Sequence, residues 1–120
     1  MPKILIIEDD IDLRRMLTRL LEREEFTVLE ANNGLEANVI FDQAVPALVI
    51  TDIIMPDQDG IGTINFIRKR FPDTKIIAIS GGGRMISQDY LKIANMLGAD
   101  YTFKKPFNNR ELVAKVRELL

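Results

Sequence analysis

The sequence predicts an α/β fold, a doubly wound (βα)5 unit with a parallel five-stranded sheet and helices on both faces. Three observations carry this. Five short apolar runs recur along the chain, at residues 3–7, 27–31, 48–51, 75–79 and 101–103. Longer stretches with a helical spacing of apolar residues lie between them. Strand and helix alternate five times, and crossovers of that length join parallel strands.

The first run, KILII, is continuously apolar rather than alternating, as suits a strand covered on both faces. In the helix predicted over 12–24, Leu13, Met16, Leu17, Leu20 and Leu21 share one stripe, while Arg14, Arg15, Arg19 and Glu22 face away. TVLEA is the second strand. The helix over 35–43 then offers Ala37, Val39, Ile40 and Ala44 as its apolar set. LVIT and KIIAI, the third and fourth strands, are again nearly continuous. Between them a helix over 61–70 offers Ile61, Ile64, Phe66 and Ile67. A helix over 90–97, the short strand YTF and a last helix over 109–120 complete the chain. No linker, repeat or low-complexity segment interrupts this order, so residues 1–120 read as one domain. Met16, Phe41, Met55 and Phe66 read as core. Arg68, Lys69 and Arg70 read as solvated cations at a helix end, where the helix dipole favours them.

Composition narrows the chemistry. Of the 120 residues, 47% are apolar and 28% charged, and 16 basic against 18 acidic side chains give a net charge of -2. That balance offers no broad basic face for nucleic acid. The chain has no cysteine and no histidine, which excludes thiolate chemistry, His ligands and phosphohistidine on this chain. A bound metal would be a hard ion held by oxygen. No apolar run reaches the roughly 18 residues a membrane span needs. The start, MPKILII, reads as a first strand rather than a signal peptide, which points to the cytoplasm.

Ligands of open parallel sheets bind beyond the carboxyl ends of the strands. Those ends are chemically rich here. The first is followed by Glu8-Asp9-Asp10, the third by Asp52, the fourth by Ser80 and Gly81-Gly82-Gly83, and the fifth by Lys104-Lys105-Pro106. Clustered carboxylates repel one another and call for a cation. Mg²⁺ suits oxygen ligands and commonly works beside phosphate. A carboxylate next to Mg²⁺ and a lysine can attack phosphorus to form an aspartyl-phosphate. A serine hydroxyl and a glycine-loop amide can then hydrogen-bond to the phosphoryl oxygens. The glycines make neither a GxxxxGK[ST] loop nor a GxGxxG fingerprint.

The segments ILIIEDD (4–10), LVITDIIMPDQDG (48–60), IIAISGGG (76–83), LGAD (97–100) and KKPF (104–107) together resemble the receiver domain of bacterial two-component response regulators. The resemblance covers the whole chain. It implies the flavodoxin-like fold of the chemotaxis regulators, with strand order 2-1-3-4-5. Asp52 is then the phospho-acceptor, taking its phosphoryl group from a sensor histidine kinase or a histidine phosphotransfer protein. Asp9 is the main acidic Mg²⁺ ligand, Glu8 its companion, and the backbone carbonyl of Ile54 a further ligand beside Asp52. Ser80 is the switch hydroxyl, with Gly81 and Gly82 in its loop. Lys105 rather than Lys104 is the site lysine because it directly precedes Pro106, and that bond is expected to be cis. Met55, Pro56 and Gly60 shape the turn after the acceptor. The protein so implied phosphorylates and dephosphorylates itself and is not a turnover enzyme.

Two departures from the family pattern stand out. Thr102 occupies the place of the usual aromatic three residues before the lysine, while Tyr101 is one residue earlier and on the opposite strand face. Three glycines follow Ser80, where larger residues are usual. The expected readout face is the fourth helix, fifth strand and fifth helix, including Asp89, Lys92, Lys104 and Arg110. It would serve a downstream protein, an output domain or a second copy, with no direct contact to nucleic acid or membrane. The chain stops in its last predicted helix, which fits a free-standing receiver or a fragment of a longer regulator, with the first favoured. Three alternatives differ in class. A pseudo-receiver would bind partners without phosphorylation. A haloacid-dehalogenase-type phosphatase wants a second Asp where Ile54 stands. An FMN protein would place its phosphate against Glu8–Asp10.

Overall fold

The computed structural model describes residues 2–53, 60–80, 92, 95 and 98–120, with only the backbone described at 60 and 61. Five parallel strands, β1 (Lys3–Ile7), β2 (Thr27–Ala31), β3 (Leu48–Asp52), β4 (Lys75–Ser80) and β5 (Tyr101–Lys104), lie in the order β2-β1-β3-β4-β5. Three helices, α1 (Ile11–Arg23), α2 (Gly34–Gln43) and α3 (Gly60–Arg70), connect the first four strands, and a C-terminal helix (Asn109–Leu119) follows β5. The helix expected over 90–97 lies mostly outside the described residues, though Lys92 and Asn95 are helical.

Continuous apolar strands bury both faces, and side-chain parity separates them. Leu5, Ile7, Val49, Ile76 and Ala78 pack with Ala37 and Phe41 of α2 and Ile64 and Ile67 of α3. Ile4, Ile6, Leu48, Ile50, Ile77 and Ile79 pack with Leu17 and Leu21 of α1 and Leu112, Val113 and Val116 of the C-terminal helix. The chain winds outward from β1 in one direction to β2 and in the other to β3. That reversal falls between β1 and β3, and sheets of this kind bind ligands beyond the carboxyl ends of the strands at such a point.

Local chemistry sets the helix starts. Asp10 caps α1, its carboxylate accepting from the amides of Asp12 and Leu13, so the helix begins at Ile11, one residue earlier than expected. Asn33 and Asn108 cap α2 and the C-terminal helix in the same way. Two expected core residues are exposed, Met16 at 37% and Val39 at 56%. The buried stripe of α1 centres on Leu17 and Leu21, which leaves Met16 at its edge. In α2 it centres on Ala37 and Phe41, which turns Val39 outward.

Arg68 also departs from the expected solvated role. Its guanidinium donates to the carbonyls of Gly98, Pro72 and Thr74 and to the Asp100 carboxylate, tying the end of α3 to the chain entering β5. Gly98 has φ +117, and a Cβ there would lie 2.9 Å from Arg68 Cγ. Among the described residues no helix is long and apolar enough to cross a membrane.

Candidate functional site

Four strand ends meet at one rim. Glu8 directly follows β1 and is 3% exposed; its amide extends the ladder to the Ala31 carbonyl at 3.1 Å. Its Oε2 accepts from the amide of Asp10 at 3.1 Å. Asp52 ends β3 and is buried, while Asp9 is exposed. Glu8, Asp9 and Asp52 each bring a carboxylate oxygen to within 4.8 Å of the others.

Lys105 reaches this cluster from beyond β5. Its amide donates to the Ser80 carbonyl at 2.8 Å. Its Nζ lies 3.1 Å from Glu8 Oε1 and 3.1 Å from Asp52 Oδ2. The Lys105–Pro106 bond is cis, and the neighbouring Lys104 is exposed. Ser80 is fully buried at the end of β4, and its hydroxyl finds no hydrogen-bond partner among the described residues.

Electrostatics make the cluster tense without a cation. Burial is the main cause that raises the Glu8 carboxyl from 4.5 to about 7. Repulsion from Asp52 and a side-chain hydrogen bond with Asp9 add to it, and the Asp10 amide and Lys105 oppose it. Burial pulls the Lys105 ammonium down, but the charges of Asp52 and Glu8, with hydrogen bonds to both, outweigh it and leave the lysine raised. When ionised, three carboxylates against one ammonium leave two negative charges. One divalent cation cancels that excess. An all-oxygen donor set of this size suits Mg²⁺, so the residues fit the metal.

The other site residues from the sequence separate into those described and those not. Ile54, Met55, Pro56, Gly81 and Gly82 lie outside the described residues, and Gly60 is the first residue of α3. Thr102 pairs with Ala78 and shares its sheet face, the face of Ser80. Tyr101 occupies the opposite face, its ring 4.9 Å from that of Phe103 and 4.1 Å from Lys115 Nζ on the C-terminal helix. Sequence reasoning missed Arg14, which it placed on the solvent side. The side chain is 13% exposed, and Nη1 donates to the Glu8 carbonyl at 2.7 Å. The available signal was a cation one turn after three acids at a strand end.

A family model described as response regulator receiver domain matches residues 4–117. The chain is 39% identical over 120 residues to a transcriptional regulatory protein CpxR homolog of Haemophilus influenzae, covering 100% of this chain and 51% of that protein. It is 37% identical to CpxR of Escherichia coli K12, covering 100% and 50%. The chain thus spans about half the length of the curated relatives it matches. Among solved structures, the receiver domain of NtrX from Brucella abortus superposes with a TM-score of 0.90 at 26% identity, covering 98% of this chain and 97% of that one. A two-component response regulator from Clostridium difficile gives a TM-score of 0.90 at 28% identity, covering 99% and 95%.

Proposed function

The chain belongs to the response regulator receiver domains, and from that premise we propose that Asp52 accepts a phosphoryl group from a phosphohistidine on a sensor kinase or phosphotransfer protein. Its work is phosphorelay signal transduction, by phosphorylation and dephosphorylation of itself rather than turnover of an external substrate. One observation carries the assignment of roles. A buried strand-end carboxylate lies 3.1 Å from an ammonium, and a buried serine hydroxyl that has no partner among the described residues ends the neighbouring strand.

In this reading an ionised Asp52 oxygen attacks phosphorus, the new P–O bond forms, and the P–N bond to the partner's imidazole breaks. Lys105 neutralises charge on the equatorial oxygens, and Ser80 donates its idle hydroxyl to one of them. Glu8, Asp9, Asp52 and the Ile54 carbonyl would hold Mg²⁺, which supplies further neutralisation of the transferring group. The phosphoryl group adds roughly -1.5 to -2 charge. That charge draws Lys105 and Ser80 toward it and biases a two-state readout face. We place that face on β5, the C-terminal helix and the segment before β5, for a downstream protein, an output domain or a second copy. Tyr101, held against Lys115 and Phe103 on the face opposite Ser80, is not the relay to it.

Intact mass after incubation with Mg²⁺ and acetyl phosphate tests the proposal. One phosphoryl mass should be gained, and it should be absent in Asp52→Asn and in EDTA. An equal gain in Asp52→Asn overturns the assignment.

A further inference from the structure

We propose that Arg14 is a positioning residue for the Mg²⁺ site, locking the Glu8–Asp9 peptide so that both carboxylates face Asp52. The inference deepens the reading above and rests on it. Glu8 is the last residue whose amide joins the sheet; its carbonyl lies beyond the ladder. That carbonyl belongs to the peptide linking the two acids, so its orientation helps set where both side chains project. Arg14 Nη1 reaches it at 2.7 Å from the first turn of α1.

The guanidinium is itself held. Nε donates to Glu30 Oε1 at 2.9 Å, and Nη1 also donates to Asn32 Oδ1 at 3.1 Å, so the end of β2 anchors the fork. Asn32 is tied in turn, its amide donating to Glu36 Oε1 at 2.7 Å in α2. The Arg14 amide donates to the Asp10 carbonyl at 2.9 Å, closing the loop on its other side. Only a planar, multi-donor fork meets three acceptors at once, one on β2 and two just beyond the ends of β1 and β2. A lysine offers a point charge that can satisfy the Glu8 carbonyl and little else. Residues that orient metal ligands in this way typically change metal affinity by about tenfold or more when replaced.

The test is Mg²⁺ binding to the chain by calorimetry, with urea unfolding in EDTA run in parallel. Arg14→Ala is expected to weaken Mg²⁺ binding about tenfold, with Arg14→Lys between it and the wild type. The extent of labelling by acetyl phosphate should recover at saturating Mg²⁺. A purely structural role would lower stability in EDTA and leave the Mg²⁺ affinity alone, and folded Arg14→Ala binding within twofold of wild type overturns the inference. Should Arg14→Ala fail to fold, Arg14→Lys and Asn32→Ala decide, and wild-type affinity in both overturns it. A wild-type chain that binds no Mg²⁺ overturns both this inference and the functional reading; a wild type that binds and labels while Arg14→Ala binds equally well sinks only the inference.

Discussion

Glu8→Gln should make the metal-free protein more stable at pH 8, although it deletes one side of an ion pair. The Glu8 carboxyl is raised from 4.5 to about 7 by burial first and by Asp52 second. A group raised in the folded state binds its proton more tightly there than in the unfolded chain. Its stabilising contribution is complete below pH 4.5 and is lost as pH rises through about 7. At roughly 1.4 kcal/mol per pKa step, the interval from 4.5 to about 7 is worth about 3 kcal/mol, and sharing of charge with Asp52 and Lys105 makes that an upper figure. Gln mimics the protonated acid and keeps one oxygen to accept from Lys105 or the Asp10 amide. Urea unfolding in EDTA should therefore show the variant about 2–3 kcal/mol more stable at pH 8, with the gap closing toward pH 4. Millimolar Mg²⁺ should close it at pH 8 by stabilising the wild type. A variant less stable than wild type at pH 8 in EDTA, or a gap of constant size across the range, refutes the argument that burial and Asp52 outweigh Lys105.

Three further outcomes follow from particular contacts. Ser80→Ala should leave metal-free stability within about 1 kcal/mol of wild type, since the lost hydroxyl has no partner among the described residues; a larger loss on urea unfolding counts against an idle hydroxyl. Tyr101→Ala should cost about 1 kcal/mol through its contacts with Lys115 and Phe103, yet leave the extent of Asp52 labelling by acetyl phosphate unchanged; reduced labelling would tie Tyr101 to the site after all. Gly98→Ala should destabilise by about 1–3 kcal/mol, because it forces a side chain into positive φ against Arg68; unchanged stability would show that Arg68 can yield.

Much of the fold was legible because it rests on periodicity. Runs such as KILII and LVIT announce strands buried on both faces, and parity sorts their residues between two cores. The helix-forming stretches were equally plain, but their orientation was read less well. Met16 and Val39 failed as core residues because one helical position, a turn of about 100°, separates a buried side chain from an exposed one. At the site, the acids, Ser80 and the lysine pair at strand ends could be read directly, since topology alone sends parallel strand ends to one rim.

What the sequence by itself determined is therefore the inventory and its order along the chain: five strands, the acids that follow them and a lysine before proline. Only the tertiary structure decided who touches whom. Lys105 meets Glu8 across 97 positions and Asp52 across 53, separations no local pattern spans. The resemblance picked Asp9 for the acidic cluster, but only the structure shows that its neighbour Asp10 is taken up in capping a helix. Arg14 and Arg68 read as surface cations and became clamps, because carbonyls of strand ends and turns left outside the ladder came within reach of their forks. The raised Glu8 carboxyl belongs to the same class, since desolvation depends on what the folded chain packs around a group and not on its neighbours in sequence.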